Sequence, residues 1–178
     1  SENNVIESIE MSLEQLSVDY IDLYLIHHPW DNDLEMFKVW QELENAVDEG
    51  LIRSIGVSNF DEKQLQSLYE KARIKPAVNQ IESHPGKWNH ALIKASQDLG
   101  VAVEAWGPLT AVDEEARAVL TQIGDKYDKS WAQVILRYQI ERDVIVIPKS
   151  HNDTRQKQNL DIFDFELTDK EREIISKL

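Results

Sequence analysis

Two hydrophobic periodicities alternate along this chain. Short runs rich in β-branched and aromatic residues predict strands, and stretches with an apolar residue every three or four positions predict amphipathic helices. The runs that predict strands are 20–26, 52–57, 77–81, 101–106 and 144–147. The stretches that predict helices are 3–16, 34–47, 61–72, 89–99, 114–127, 130–140, 150–160 and 168–178, with Asp61 and Thr168 as N-caps.

This alternation predicts parallel β/α units, because a parallel neighbour requires a long crossover connection. Five strands fit either a doubly wound sheet or part of a (β/α)8 barrel, which has eight strands when complete. The chain has 178 residues and contains no linker, low-complexity tract or repeat. We therefore expect residues 1–178 to belong to one α/β domain.

The amino-acid composition disfavours several classes of protein and of binding partner. An apolar content of 42% and five tryptophans indicate a packed globular protein. A net charge of −14 disfavours nucleic acid and anionic membranes as partners. No apolar run approaches the roughly 20 residues of a membrane helix, and the first residues do not resemble a secretory signal. The lack of cysteine fits a reducing compartment, so a cytoplasmic location is expected.

Polar and aromatic residues stand at or just after the predicted strand ends. Carboxyl ends of parallel strands form the functional face of α/β folds, because the loops there converge on one opening. The residues at these ends are His27, His28, Ser58, Asn59, Gln80, Trp106, Lys149 and Ser150.

Each of these residues also has a purely structural interpretation. His27 can be a hydrogen-bonded histidine at a strand end, and Trp106 can be core. Ser58 and Asn59 can cap the following helix, and Gln80 can satisfy backbone groups. No further histidine or carboxylate pair stands at ligand spacing from His27, so no metal site is expected.

A small basic cluster interrupts the acidic sequence near the C-terminus. Lys149, Ser150 and Arg155 fit a phosphate site at a helix N-terminus, and they also fit solvated surface charges. The chain has neither a glycine-rich dinucleotide fingerprint nor a P-loop.

Five segments together resemble the aldo-keto reductase family, in the family's order and from residue 3 to the C-terminus. They are LSVDYIDLYLIHHPW, LIRSIGVSNF, PAVNQIESHP, VEAWGPL and VIVIPKSHNDTRQKQNLDIFDFELT. In its tryptophan in the WGPL segment, the chain resembles bacterial members of the family of the 2,5-diketo-D-gluconate reductase type. The resemblance implies the last five β/α units of a (β/α)8 TIM barrel. It also implies an enzyme that reduces small aldehydes or ketones to alcohols with NADPH.

The resemblance assigns His27 as the active-site histidine, which hydrogen-bonds the substrate carbonyl and orients it. The implied cofactor residues are Ser58, Asn59 and Gln80 for the nicotinamide carboxamide, Trp106 for stacking on the nicotinamide, Lys149, Ser150 and Arg155 for the 2′-phosphate, and Gln158 and Asn159 for adenine. A lysine and an arginine on a 2′-phosphate predict a preference for NADPH over NADH.

The sequence departs from the family pattern in two places. His28 stands where an aromatic residue often lines the substrate pocket, and the stretch after Leu109 lacks the glycine-containing loop that folds over the pyrophosphate.

The family's proton-donating tyrosine, with its lysine and aspartate, lies on strands that precede this chain. We therefore expect further N-terminal barrel units in the complete protein, negligible activity of the chain alone, and self-association through open sheet edges. A noncatalytic NADP(H)-binding or regulatory protein is the alternative, and the coding DNA upstream of residue 1 distinguishes the two.

Overall fold

The computed structural model describes residues 20–29, 32–146 and 153–178. In these ranges five strands alternate with seven helices, and every predicted element that falls within them is confirmed. The strands are β1 (Ile21–Ile26), β2 (Ile52–Ser58), β3 (Val78–Glu82), β4 (Ala102–Trp106) and β5 (Val144–Val146). The helices are α1 (Asp33–Asp48), α2 (Glu62–Lys71), α3 (His90–Asp98), α4 (Glu114–Asp125), α5 (Trp131–Glu141), α6 (Asp153–Leu160) and α7 (Asp169–Ser176). The predicted helix 3–16 lies outside the described residues.

The five strands form one sheet in the order β1-β2-β3-β4-β5. Strand β1 pairs with β2, β2 with β3, and β4 with β5, and these three pairings are parallel. A doubly wound sheet reverses its strand order at a switch point, and the described strands show no such reversal. The order therefore favours consecutive β/α units of a barrel.

The chain divides into two compact units. The first is Ser1–Gln80 with Lys94–Ala102, and the second is Ile81–Ile93 with Val103–Leu178.

The first unit packs α1 and α2 against its strands. Its core surrounds Trp40, which is fully buried and whose indole nitrogen donates to the carbonyl oxygen of Ile74 at 3.0 Å. The buried carboxylate of Glu44 accepts from the Ile74 nitrogen at 2.6 Å. Trp40 and Glu44 of α1 therefore anchor the connection that leads into β3. The predicted N-cap Asp61 is confirmed, since its carboxylate accepts from the Gln64 nitrogen at 2.8 Å.

The second unit packs α4, α5 and α7 around a second apolar core. Leu120, Val134, Ile135 and Ile175 are fully buried there. The predicted N-cap Thr168 begins α7 and is also confirmed. A smaller cluster packs the helix-facing side chains of β3, β4 and β5 against α3: Ile81, Ile93, Val103, Ala105 and Val144.

Within the described part of the chain, β1 and β5 are the edge strands of the sheet. Ile145 of β5 is 49% exposed, and a groove of about 470 Å³ beside that strand is bordered by Leu160 and Phe163, two further exposed apolar side chains. Unpaired strand edges with apolar neighbours favour association. Self-association of the isolated chain remains a prediction.

Candidate active site

In the first unit, three candidate residues lie in one row across the carboxyl ends of three strands. Ile26 pairs with Val57, so His27 follows β1 at the level of Ser58, the last residue of β2. Ser58 in turn pairs with Gln80 of β3. Ile26 and Val57 pack into the helix-side core, and side chains alternate along a strand. His27 and Ser58 are therefore on the opposite face of the sheet from this core.

Hydrogen bonds hold Ser58 against Gln80. The Ser58 hydroxyl donates to the Gln80 carbonyl oxygen at 3.2 Å and lies 3.5 Å from the side-chain oxygen of the same residue. The main-chain nitrogen of Asn59 donates to that carbonyl at 2.9 Å. Ser58 is buried and Gln80 is half-buried, so this pair offers a hydroxyl and an amide at the rim of the sheet.

Asn59 joins the ends of β1 and β2. Its backbone is in the left-handed region at φ 61°, which asparagine tolerates better than most residues. Its amide nitrogen donates to the His27 carbonyl oxygen at 3.0 Å and lies 3.3 Å from Nδ1 of His28. Because Asp61 is the N-cap of α2, the interpretation of Ser58 or Asn59 as that cap is wrong. Asn59 positions the main chain from which the His27 ring extends.

In the second unit, Trp106 is the last residue of β4 and is half-buried. Its neighbour Ala105 packs into the helix-side cluster, so the indole extends from the other face. Gly107 follows at φ 60°, and a tight turn closes with the Thr110 nitrogen donating to the Gly107 carbonyl at 3.0 Å. Helix α4 begins soon afterwards at its N-cap Asp113, so the connection between β4 and α4 is short.

Three predicted cofactor residues lie on α6, and the structure gives them unequal exposure. Arg155 and Gln158 are exposed, whereas Asn159 is buried and borders the groove beside β5. The carbonyl of Gln158 accepts from the side-chain nitrogen of Gln133 at 2.7 Å, which ties α6 to α5. Lys149 and Ser150 lie outside the described residues, so their position beside Arg155 stays a prediction.

A charged cluster at the end of β3 was not predicted from the sequence. Glu82 accepts from Lys87 at 2.6 Å and contacts Nε2 of His84 at 3.0 Å. The hydrogen bond from Lys87 and then that from His84 lower the pKa of the Glu82 carboxyl below its ordinary value. This carboxylate is therefore engaged as an anion and is poorly suited to act as a general base.

A buried polar pair, Ser83 and Gln139, was also missed by sequence reasoning. Its one signal was the position of Gln139 among apolar residues on α5. Among the described side chains, no group of three histidines, aspartates or glutamates gathers as a metal site. In the same part of the chain, no helix combines the length and apolar character of a membrane span.

Comparison with known proteins identifies relatives of the same family along the whole chain. Glyoxal reductase of Bacillus subtilis is 44% identical over 171 residues, which cover 96% of this chain and 61% of that protein. Methylglyoxal reductase DkgA of Yersinia pestis is 37% identical over 182 residues, covering 99% of the chain and 65% of that protein. The chain thus spans less than two thirds of the length of these relatives.

Solved structures agree with these sequence matches. An aldo/keto reductase from Brucella melitensis matches with a TM-score of 0.92 and 38% identity, over 99% of this chain and 68% of that one. The Bombyx mori aldo-keto reductase AKR2E4, solved in complex with NADP, matches with a TM-score of 0.90 and 38% identity, over 99% of this chain and 63% of that one. The family model for aldo/keto reductases covers residues 1–178, and this chain belongs to the aldo/keto reductase family.

Proposed function

We propose that the complete enzyme reduces small aldehydes and ketones to alcohols with NADPH, and that this chain supplies His27 and the cofactor site. By the complete enzyme we mean this chain together with the barrel units that its relatives possess and it does not cover. The observation that carries the proposal is the row of His27, Ser58 and Gln80 at the carboxyl ends of β1, β2 and β3.

The residues in this row fit the nicotinamide end of NADPH. A carboxamide presents one carbonyl acceptor and two N–H donors, so it requires partners of both kinds. The Ser58 hydroxyl and the Gln80 amide, within 3.5 Å of each other, carry both donors and acceptors. When bound, NADPH supplies the hydride that reduces the carbonyl carbon. The role of Ser58 and Gln80 is to fix which face of the ring meets the substrate.

Trp106 stays the residue proposed, from the family resemblance, to stack on the nicotinamide, and Asn59 would act through the main chain of His27. At the other end of the cofactor, Arg155 with Lys149 and Ser150 would bind the 2′-phosphate. A local cationic site is needed there because the chain carries a net charge of −14. Gln158 and Asn159 remain proposed adenine contacts.

His27 is proposed to bind the substrate carbonyl oxygen. Its side chain is exposed, while its carbonyl oxygen is held by Asn59 at 3.0 Å. A ring on an anchored main chain can present an N–H to the oxygen that becomes negative during hydride transfer. Such preorganised donors are worth most where charge develops.

The proton for the alkoxide is proposed to come from a tyrosine outside this chain. Burial, followed by the hydrogen bond to Glu171, raises the pKa of Tyr127 to about 12. Burial also raises the pKa of Tyr138. Both tyrosines are therefore weaker acids than usual, and a proton donor at neutral pH requires the opposite shift.

The names of two relatives suggest glyoxal and methylglyoxal as first substrates to test. Oxidation of NADPH by the complete enzyme, followed through its absorbance, tests the function. We expect His27→Phe, which keeps an aromatic ring but has no N–H donor, to lower kcat about 10²-fold, the usual cost of one lost donor to a developing oxyanion, with NADPH affinity unchanged.

His90→Phe is the matched control, because His90 is a second exposed histidine, whose Nε2 contacts the Ser176 carbonyl and which has no proposed role in binding. An unchanged kcat in His27→Phe, or equal losses in both variants, would contradict the assignment of His27.

A further inference from the structure

A buried chain of hydrogen bonds in the second unit leads from α5 to the end of β4. It begins at Gln139, whose side chain is fully buried and whose Nε2 donates to the Ser83 hydroxyl at 2.9 Å and to the Ser83 carbonyl at 3.2 Å. Ser83 is fully buried as well. It is the first residue after β3, and 56 positions separate the two partners in sequence.

The contacts of Gln139 and Ser83 determine which of their polar atoms donate hydrogen bonds and which accept them. The Ser83 carbonyl can only accept, so the Gln139 nitrogen must face it. The Gln139 side-chain oxygen faces the other way and accepts from Arg142 at 3.3 Å. The Ser83 hydroxyl donates its one hydrogen to the Trp88 carbonyl at 2.8 Å and therefore accepts from Gln139.

The chain of bonds ends at Trp106. The main-chain nitrogen of Ser83 donates to the Trp106 carbonyl oxygen over a long distance of 3.4 Å. Directly beyond Trp106 the backbone leaves strand geometry, since Gly107 has a φ of 60°. The carbonyl of Trp106 is thus supported by the main-chain nitrogen of Ser83, and Gln139 holds the side chain and the carbonyl of the same serine.

We propose that Gln139 is a positioning residue that sets the nicotinamide-binding geometry of Trp106 through Ser83. The inference rests on the proposed function, because it assumes that Trp106 contacts the nicotinamide. Gln139→Leu fills a similar volume but removes the donor to two buried oxygen atoms of Ser83. Buried acceptors without a partner are costly, so the Ser83 peptide is expected to reorient and the Trp106 carbonyl to lose its support.

Binding of two different ligands distinguishes a positioning role of Gln139 from a general effect on the structure. NADPH includes the nicotinamide, whereas 2′,5′-ADP includes only the adenosine and phosphate part of the cofactor. We expect Gln139→Leu in the complete enzyme to weaken NADPH binding about five- to tenfold, the worth of one lost hydrogen bond. Binding of 2′,5′-ADP, measured by calorimetric titration, should stay within twofold of the wild type.

A double-mutant cycle locates the effect. In a Trp106→Ala background, Gln139→Leu should change NADPH affinity less than twofold, because the residue that it positions is gone. Tyr138→Phe is the control, since it removes a hydroxyl from the buried neighbour of Gln139 on α5, whose ring packs edge-on against Trp88. We expect it to leave the affinities for both ligands unchanged.

The outcomes distinguish the inference from the function on which it rests. If the wild type binds neither ligand, the proposed function is wrong. If the wild type binds both and Gln139→Leu weakens both equally, weakens neither, or keeps its full effect without Trp106, the positioning role of Gln139 is refuted. Should Gln139→Leu fail to fold, Ser83→Ala removes the hydroxyl alone, and the same selective loss for NADPH is required.

Discussion

Gly56 lies in the middle of β2, where the sheet has no room for a side chain. A Cβ atom at this position would lie 2.7 Å from the Val78 carbonyl oxygen and 2.8 Å from Cδ2 of Leu25. Carbon atoms in favourable contact are separated by about 3.5–4.0 Å, so Gly56→Ala requires movements of about 0.7 Å or more. Leu25 can rotate, but the oxygen belongs to the backbone of β3 and can only move with that strand.

The expected cost follows from these two contacts. Overpacking against fixed atoms costs about 1–3 kcal/mol, and an off-rotamer leucine adds about 0.5–1.5 kcal/mol. We therefore expect Gly56→Ala to lower the free energy of unfolding by about 2–4 kcal/mol. Gly56 and Val78, the two clashing residues, each lie two positions before Ser58 and Gln80. The Ser58 hydroxyl must stay within hydrogen-bond reach of Gln80. NADPH affinity should fall as well, by about tenfold, if one such bond is lost.

Gly50→Ala provides a matched control. Gly50 has a φ of 78° and no atom within 4 Å of an added Cβ, so alanine there meets backbone strain of about 1–2 kcal/mol without a clash. It precedes the amino end of β2, away from the row of polar residues. Urea unfolding and NADPH titration of both variants of the complete enzyme provide the measurements. Equal losses of NADPH affinity, or a Gly56→Ala variant as stable as the wild type, would refute the reasoning.

Two further predictions concern the second unit. Arg155→Ala should weaken NADPH binding by about 1.5–3 kcal/mol and leave NADH binding nearly unchanged, because NADH lacks the 2′-phosphate; equal losses in fluorescence titrations would mean that Arg155 does not bind this group. Tyr127→Phe should lower the free energy of unfolding by about 1–3 kcal/mol, because the buried Glu171 loses a donor. Burial opposes ionisation of Glu171, but the hydrogen bonds from Tyr127 and Thr168 outweigh it and lower its pKa below the ordinary 4.5. The stability from Glu171 is therefore complete above pH 4.5 and is lost as pH falls toward the lowered value. Urea midpoints should consequently depend less on pH in that acid range for Tyr127→Phe than for the wild type, and identical pH profiles would contradict this.

The helices and strands followed from the sequence because their signals are local. The carboxylate of Asp61 and the hydroxyl of Thr168 each accept from a backbone nitrogen three positions away, so both caps can be recognised within one turn of sequence. The alternation of strands and helices gave the parallel sheet by the same kind of reasoning, since only connection length enters it.

The contacts of the candidate site did not follow, because they join distant residues. His27, Ser58 and Gln80 were found from their positions at strand ends and from the family resemblance, but only the register shows that they share one level. The bond from Asn59 to the His27 carbonyl spans 32 positions, and that from Gln139 to Ser83 spans 56. Neither partner carries a periodic signal that would single out the other.

These long-range bonds reveal a common arrangement in the two units. The residues proposed to contact the cofactor and substrate extend their side chains from strand ends, and other residues hold their main-chain carbonyls: Asn59 for His27, Ser58 for Gln80, and Ser83 for Trp106. A carbonyl held in this way limits rotation of the peptide next to the functional side chain while leaving the side chain to the ligand. Asn59 and Ser58 donate from short side chains, which lose little conformational entropy when they bind a backbone group, whereas Ser83 donates from its main-chain nitrogen. Asn59 and Ser83, which are not proposed to touch the cofactor, are therefore expected to affect its affinity through backbone geometry.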